Sequence, residues 1–153
     1  MHGAQAISLA TVEIRSPAVP GRAQGSRPND NVEASKNHDE ECVGSDDPTK
    51  AAFPFLHGLA LAEAGHEVQI FLLGEAVSLM RKPVASSVTP VGWPPLVETL
   101  DKVAAKRIPI YACAACSRAR GVTEADLGNF SAKFGNPKIF VSLVEWADRI
   151  ITE

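Results

Sequence analysis

Residues 66–73, HEVQIFLL, constrain this chain more than any other stretch. The run lies between Gly65 and Gly74 and becomes apolar on both faces toward its end. That is the pattern of a strand covered by helices on both sides. The residues before it support the reading. Asp46 and Asp47 followed by Pro48 make a helix start, an Asp N-cap with proline at the first position. Residues 49–64 then carry a helical stripe at Ala52, Phe55, Leu56, Leu59 and Ala62, and Gly65 ends it as the C′ residue. Pro54 inside the stripe predicts a kink or a delayed start of the regular part.

The alternation continues to the end of the chain. Gly74 turns into a short helix over residues 75–81, and residues 82–95, with Pro83, Pro90, Pro94 and Pro95, read as an irregular loop. A second amphipathic helix runs from residue 94 or 95 to 106 on Leu96, Val97, Leu100 and Val103. IPIYAC, residues 108–113, is a short buried strand, residues 114–120 a helical turn, and residues 123–129 a helix capped by Thr123. Residues 138–141 continue into a helix through Glu145 and Trp146, and residues 149–152 form a terminal strand. The fold class is therefore α/β, an open, mostly parallel sheet of four to five strands with helices on both faces.

The chain divides at about Gly44, giving residues 1–43 as an atypical extension and 44–153 as the α/β domain. Residues 16–41 carry Pro17, Pro20, Pro28 and the polar run NHDEE, with no apolar cluster able to offset the entropy of ordering. Disorder is the expectation there. The exception is residues 6–14, AISLATVEI, which alternate and are β-branched enough for a strand. A helix opened by Asp46–Pro48 should follow a buried strand, yet KNHDEECV stands before it. Either residues 6–14 fill the first-strand slot across a long loop, or the sheet lacks that strand. Removing residues 1–43 is expected to leave the remaining secondary structure largely unchanged.

Composition excludes several classes. With 45% hydrophobic and 22% charged residues, the chain is neither wholly disordered nor a disulfide framework. A net charge of −3 points to no nucleic acid and no anionic membrane among its partners, and no apolar stretch is long enough for a membrane span. Its 3 cysteines, Cys42, Cys113 and Cys116, are an odd number with one C-x-x-C, which suits a reducing, cytoplasmic setting. Arg15, Arg22 and Arg27 lend a faint organelle-transit character, which Glu13 weakens.

The chemistry concentrates in residues 111–121, YACAACSRARG. Cys113 falls at the carboxyl end of a buried strand with a helix beginning beyond it, where backbone N–H groups favour a thiolate. Ala112, Ala114 and Ala115 leave room for a substrate sulfur. Arg118 and Arg120 add positive potential, and Cys116 and Arg120 are an i, i+4 pair. Such a thiolate suits thiol transfer or persulfide carriage. The competing reading makes both cysteines small core residues at a tight junction. Asp46 and Asp47 could line the site, although capping explains them more simply. No second C-x-x-C or paired histidine completes a zinc set, so no metal and no cofactor is expected.

Four segments resemble the DsrE/DsrF-like family of small sulfur-relay proteins: GSDDPTKAAFPFLHGLALAEAGHEVQIFL, GEAVSLMRK, IPIYACAACSRARGV and WADRIIT. The resemblance implies that Cys113 accepts a sulfur atom as a persulfide and passes it on. It also implies sulfur donor and acceptor proteins as partners, and assembly as a homotrimer or homohexamer. Cys116 falls where many members have a small residue. Members begin with an apolar strand directly before the GSDDP-like loop, and here KNHDEEC replaces it. Two functions follow: a sulfur carrier or sulfurtransferase, or a non-catalytic oligomeric α/β binding or assembly module of the same fold.

Overall fold

A computed structural model describes residues 9–17 and 47–153. Its strands are β1 (Leu9–Arg15), β2 (Glu67–Leu73), β3 (Ile110–Cys113), β4 (Lys133–Gly135) and β5 (Arg149–Thr152). They form one open sheet in the order β4-β3-β2-β1-β5. β2, β3 and β4 are parallel, whereas β1 runs antiparallel to both of its neighbours, β2 and β5.

Of the two arrangements open to the first strand, the chain takes the one in which the amino-terminal segment fills the slot. The expectation that residues 1–43 can be removed without consequence therefore does not extend to Leu9–Arg15. Alternation explains why this segment fits. Ala10, Val12 and Ile14 stand opposite Leu72, Ile70 and Val68 on one face, and all are buried. The strand is joined on its other side by paired bonds between Ala10 and Glu153 at 2.9 Å, and Asp148 N–H donates to Ile14 O at 2.9 Å. Direction was not legible: the long connection over residues 16–47 imposes no short right-handed crossover, so β1 is free to enter reversed.

Helices cover both faces. α1 (Pro48–Glu63) lies on the face of Ile70, so closely that a Cβ on Gly58 would meet Ile70 Cδ1 at 3.2 Å. The N-cap is Asp47, whose carboxylate accepts from Thr49 N–H at 3.1 Å and Lys50 N–H at 3.0 Å. Pro54 is tolerated inside the helix and is buried. Gly65, at φ +89, makes the left-handed turn into β2 that an L side chain would resist. α3 (Leu96–Ala105) packs beside α1 through Leu96, Leu100 and Val103. α6 (Pro137–Trp146), capped by Asn136, covers the opposite face, where Phe140 meets Phe71 edge-on at 5.3 Å.

Three elements differ from the sequence reading. The segment after Gly74 is a 3₁₀ helix, Gly74–Met80, buried along most of its length. Residues 82–95 are not wholly irregular, since α2 (Lys82–Ser87) occupies their start with a proline in its first turn, where no intrahelical N–H is needed. β4 is three residues long, too short to show any period, and was not anticipated. The short helices α4 (Ala114–Ala119) and α5 (Glu124–Gly128) complete the fold. α5 has the expected Thr123 cap, closed into a capping box by Asp126.

Candidate functional site

Cys113 is both the last residue of β3 and the N-cap of α4. Its neighbour across the sheet is Gly135, the last residue of β4. That glycine is required: a Cβ there would come within 2.6 Å of the Phe71 ring, which lies across this end of the sheet. β2 ends beside β3, so Gly74 reaches the same edge. Its N–H donates to Cys116 Sγ at 3.3 Å. Carboxyl edges of parallel strands are where open α/β sheets gather their ligands.

The two thiols, both free and half-buried, are made unequal by their surroundings. Burial pushes the Cys113 thiol up, but the backbone N–H of Cys116, the Cys116 thiol, the Ala115 N–H and the Arg118 charge together outweigh it, leaving Cys113 below the ordinary thiol range. Cys116 is held above that range, first by burial and then by its hydrogen bond to Cys113 and the charge there, with Gly74 N–H and Arg120 only partly opposing. The opposed shifts make Cys113 the thiol that ionises first, its thiolate accepting a hydrogen bond from Cys116, which holds its proton longer.

The two arginines divide their work. Arg118 is exposed and acts on Cys113 through its charge. Arg120, the C-cap of α4, donates from Nε to Glu75 Oε2 at 2.7 Å and from Nη1 to the Cys116 carbonyl at 3.4 Å. The i, i+4 spacing thus brings Arg120 to the Cys116 backbone. Ser78 Oγ donates to the other Glu75 oxygen at 3.0 Å, and Arg81 donates to the Arg120 carbonyl. Burial would raise Glu75, but the bonds from Arg120 and Ser78, with the Arg120 and Arg81 charges, hold it below the ordinary carboxylate range. The anionic Glu75 therefore clamps the cysteine segment to the 3₁₀ helix.

Asp47 is engaged in capping α1 and lies 3.8 Å from Lys50. Asp46 and Cys42 lie outside the described residues. The 16-residue α1 is about as long as the 7-residue β2 it precedes and folds back along it, which brings Asp47 to the Cys113 edge of the sheet. His57 pairs with Glu153 at 2.5 Å. Trp93 is 51% exposed. The sequence reading missed Gly74, Glu75, Ser78 and Arg81 as supports. The available signal was a glycine ending the neighbouring parallel strand, which topology carries to the edge where β3 ends.

A free cysteine pair thus stands at the carboxyl edge of a parallel α/β core, one thiol depressed and the other raised. The model of the DsrE/DsrF-like family matches residues 43–152, and the chain belongs to that family. The match includes Asp46, Asp47, Cys113, Cys116, Arg118 and Arg120, while β1 lies before it. No curated protein and no solved structure matches the chain. Members of this family are associated with sulfur relay. Among the described residues no helix is long and apolar enough to cross a membrane.

Proposed function

We propose that the protein is a sulfur carrier whose Cys113 holds sulfane sulfur as a persulfide and passes it to a partner thiol in a reducing, cytoplasmic setting. The observation that carries this reading is the place of Cys113 as the last residue of β3 and the N-cap of α4, where the N–H groups of Ala115 and Cys116, the Cys116 thiol and the Arg118 charge favour its thiolate. In the loading step the Cys113 thiolate attacks the terminal sulfur of a donor persulfide. A Cys113 S–S bond forms, the donor S–S bond breaks, and the donor leaves as a thiolate. In delivery an acceptor thiolate attacks the outer sulfur, the Cys113 S–S bond breaks, and Cys113 departs as the thiolate its site already stabilises. Sulfane sulfur moves with no net oxidant. Cys116 and the N–H groups of Ala115 and Cys116 stabilise the departing Cys113 sulfur, Arg118 draws anionic sulfur toward the edge, and Asp47 borders it.

Intact mass after incubation with a small-molecule persulfide tests this. A gain of one sulfur atom, lost in Cys113→Ala and reversed by an added thiol, is the expected result. No gain on the folded wild-type chain would contradict it and favour the non-catalytic assembly module.

Assembly as a homotrimer or homohexamer belongs to the same proposal. Val141, Val144 and Ile150 are 52%, 41% and 42% exposed on α6 and the following β5, and among the described residues both outer strands leave an unpaired edge. Sedimentation velocity at micromolar concentration should give a species several times heavier than the 16.2 kDa chain. A clean monomer would reject assembly.

A further inference from the structure

The opposite end of β3 gathers unusual backbone conformations and cationic side chains around one cavity. Among the described residues only Arg107 and Ser131 are non-glycine residues at positive φ, +57 and +55. Each lies just past the end of a helix that leads into a strand, Arg107 after α3 and Ser131 after α5. Arg107 N–H donates to Ala104 O at 2.9 Å and Ile108 N–H to Val103 O at 3.2 Å, closing α3. Ser131 N–H donates to Gly128 O at 3.4 Å and Ala132 N–H to Leu127 O at 3.0 Å, closing α5. Glycine is the residue such a position prefers, and an arginine there sacrifices stability. Both residues line one cavity of about 210 Å³ together with Tyr111 and Lys133, and among the described residues no acidic side chain lines it. Backbone strain that converges on a cavity is a mark of function. Two cations and two hydroxyl groups around a small space suit a tetrahedral oxyanion.

Arg107 also borders a larger neighbouring cleft of about 590 Å³, to which Trp146, Val68 and Ile108 contribute apolar surface. We propose that this end of the sheet binds a small phosphate monoester, its oxyanion held between Arg107 and Lys133 beside Tyr111 and Ser131, and its body in the adjoining cleft. Pro109 and Cys113 are separated by about 13 Å of extended strand, so this ligand does not share the thiol site. Arg107 stands where glycine would serve the fold better because its guanidinium is needed for the ligand.

The full-length chain is titrated with inorganic phosphate and with phenyl phosphate at constant ionic strength, following thermal stability and backbone amide shifts. Both should raise Tm and shift amides at residues 107–111 and 131–133, with phenyl phosphate binding more tightly. Arg107→Gly should raise Tm without ligand yet abolish the ligand-induced rise. Lys133→Gln should weaken binding roughly tenfold, the worth of one charge-assisted hydrogen bond. A lower ligand-free Tm in Arg107→Gly, or an undiminished phosphate effect in both variants, would overturn the proposal. Equal affinity for the two probes would overturn the assignment of the cleft to the ligand's body.

Discussion

β1 and β3 are both interior strands of one sheet, yet they relate to the rest of the chain in opposite ways. β3 is parallel to its neighbours and lies within the family match, and it ends on the cysteine segment. β1 is antiparallel, lies before the match, and reaches α1 only through the long connection over residues 16–47. Their inner faces are equally apolar. Their outer faces are not: β3 presents Tyr111 and Cys113, whereas β1 presents Thr11 and a fully buried Glu13, beside Gln69 of β2 and Ile150 of β5. Thr11 Oγ1 donates to Glu13 Oε1 at 2.5 Å, and Glu13 Oε2 has no hydrogen-bond partner among the described residues. One strand ends on the free cysteine pair; the other completes the core while carrying a buried acid.

The largest effect should come from removing β1. Deleting residues 1–17 opens the centre of the sheet and unpairs β2 and β5, which exceeds what a domain of 5–15 kcal/mol total stability can absorb. Cooperative thermal unfolding followed by circular dichroism should disappear. A truncated chain that melts cooperatively at the original Tm would show that the strand is dispensable.

Next in size is the pH dependence set by Glu13. Burial, opposed only in part by the Thr11 hydroxyl, raises its pKa from 4.5 to about 7. The folded chain therefore holds this proton more tightly than the unfolded chain. The stability it lends is fully present below pH 4.5 and is lost as pH rises through about 7. By that linkage the loss is about 3 kcal/mol at most. In denaturant titrations Glu13→Gln should match the wild type near pH 5 and exceed it by about 2 kcal/mol near pH 8. Parallel stability curves for the two proteins would remove Glu13 from the account of β1.

A similar or smaller effect belongs to the β3 side. Gly135→Ala places a methyl group against the Phe71 ring and should destabilise by roughly 1–3 kcal/mol. It should also disturb Cys113, which Gly135 faces across the sheet. A variant as stable as wild type, with unchanged Cys113 reactivity, would separate the glycine from the site.

The contrast between the strands also explains what the sequence could reveal. α1 and β2 were legible because the Asp47 cap, the terminating Gly65 and Gly74 and apolar periodicity coincide there, whereas α3 and β3 were legible from their apolar pattern alone. β1 was legible as an alternating segment, but not in its direction, because strand alternation reads the same either way. β4 has three residues, and α2 begins with a lysine and a proline that resemble a loop. At the site, Cys113 was visible from its place at a strand end. The Glu75 clamp was not, because Glu75 and Arg120 meet only after β2 and β3 have paired.

The measurement closest to the central claim is the pH dependence of alkylation at each cysteine, followed by mass spectrometry on the folded chain. Cys113 should react faster than Cys116 and Cys42 at neutral pH, with an apparent pKa below the ~8.5 of an ordinary cysteine, while Cys116 titrates above it. If Cys42 labels fastest while Cys113 stays inert, or if Cys116 proves the more acidic thiol, the assignment of Cys113 as the sulfur-carrying nucleophile is contradicted.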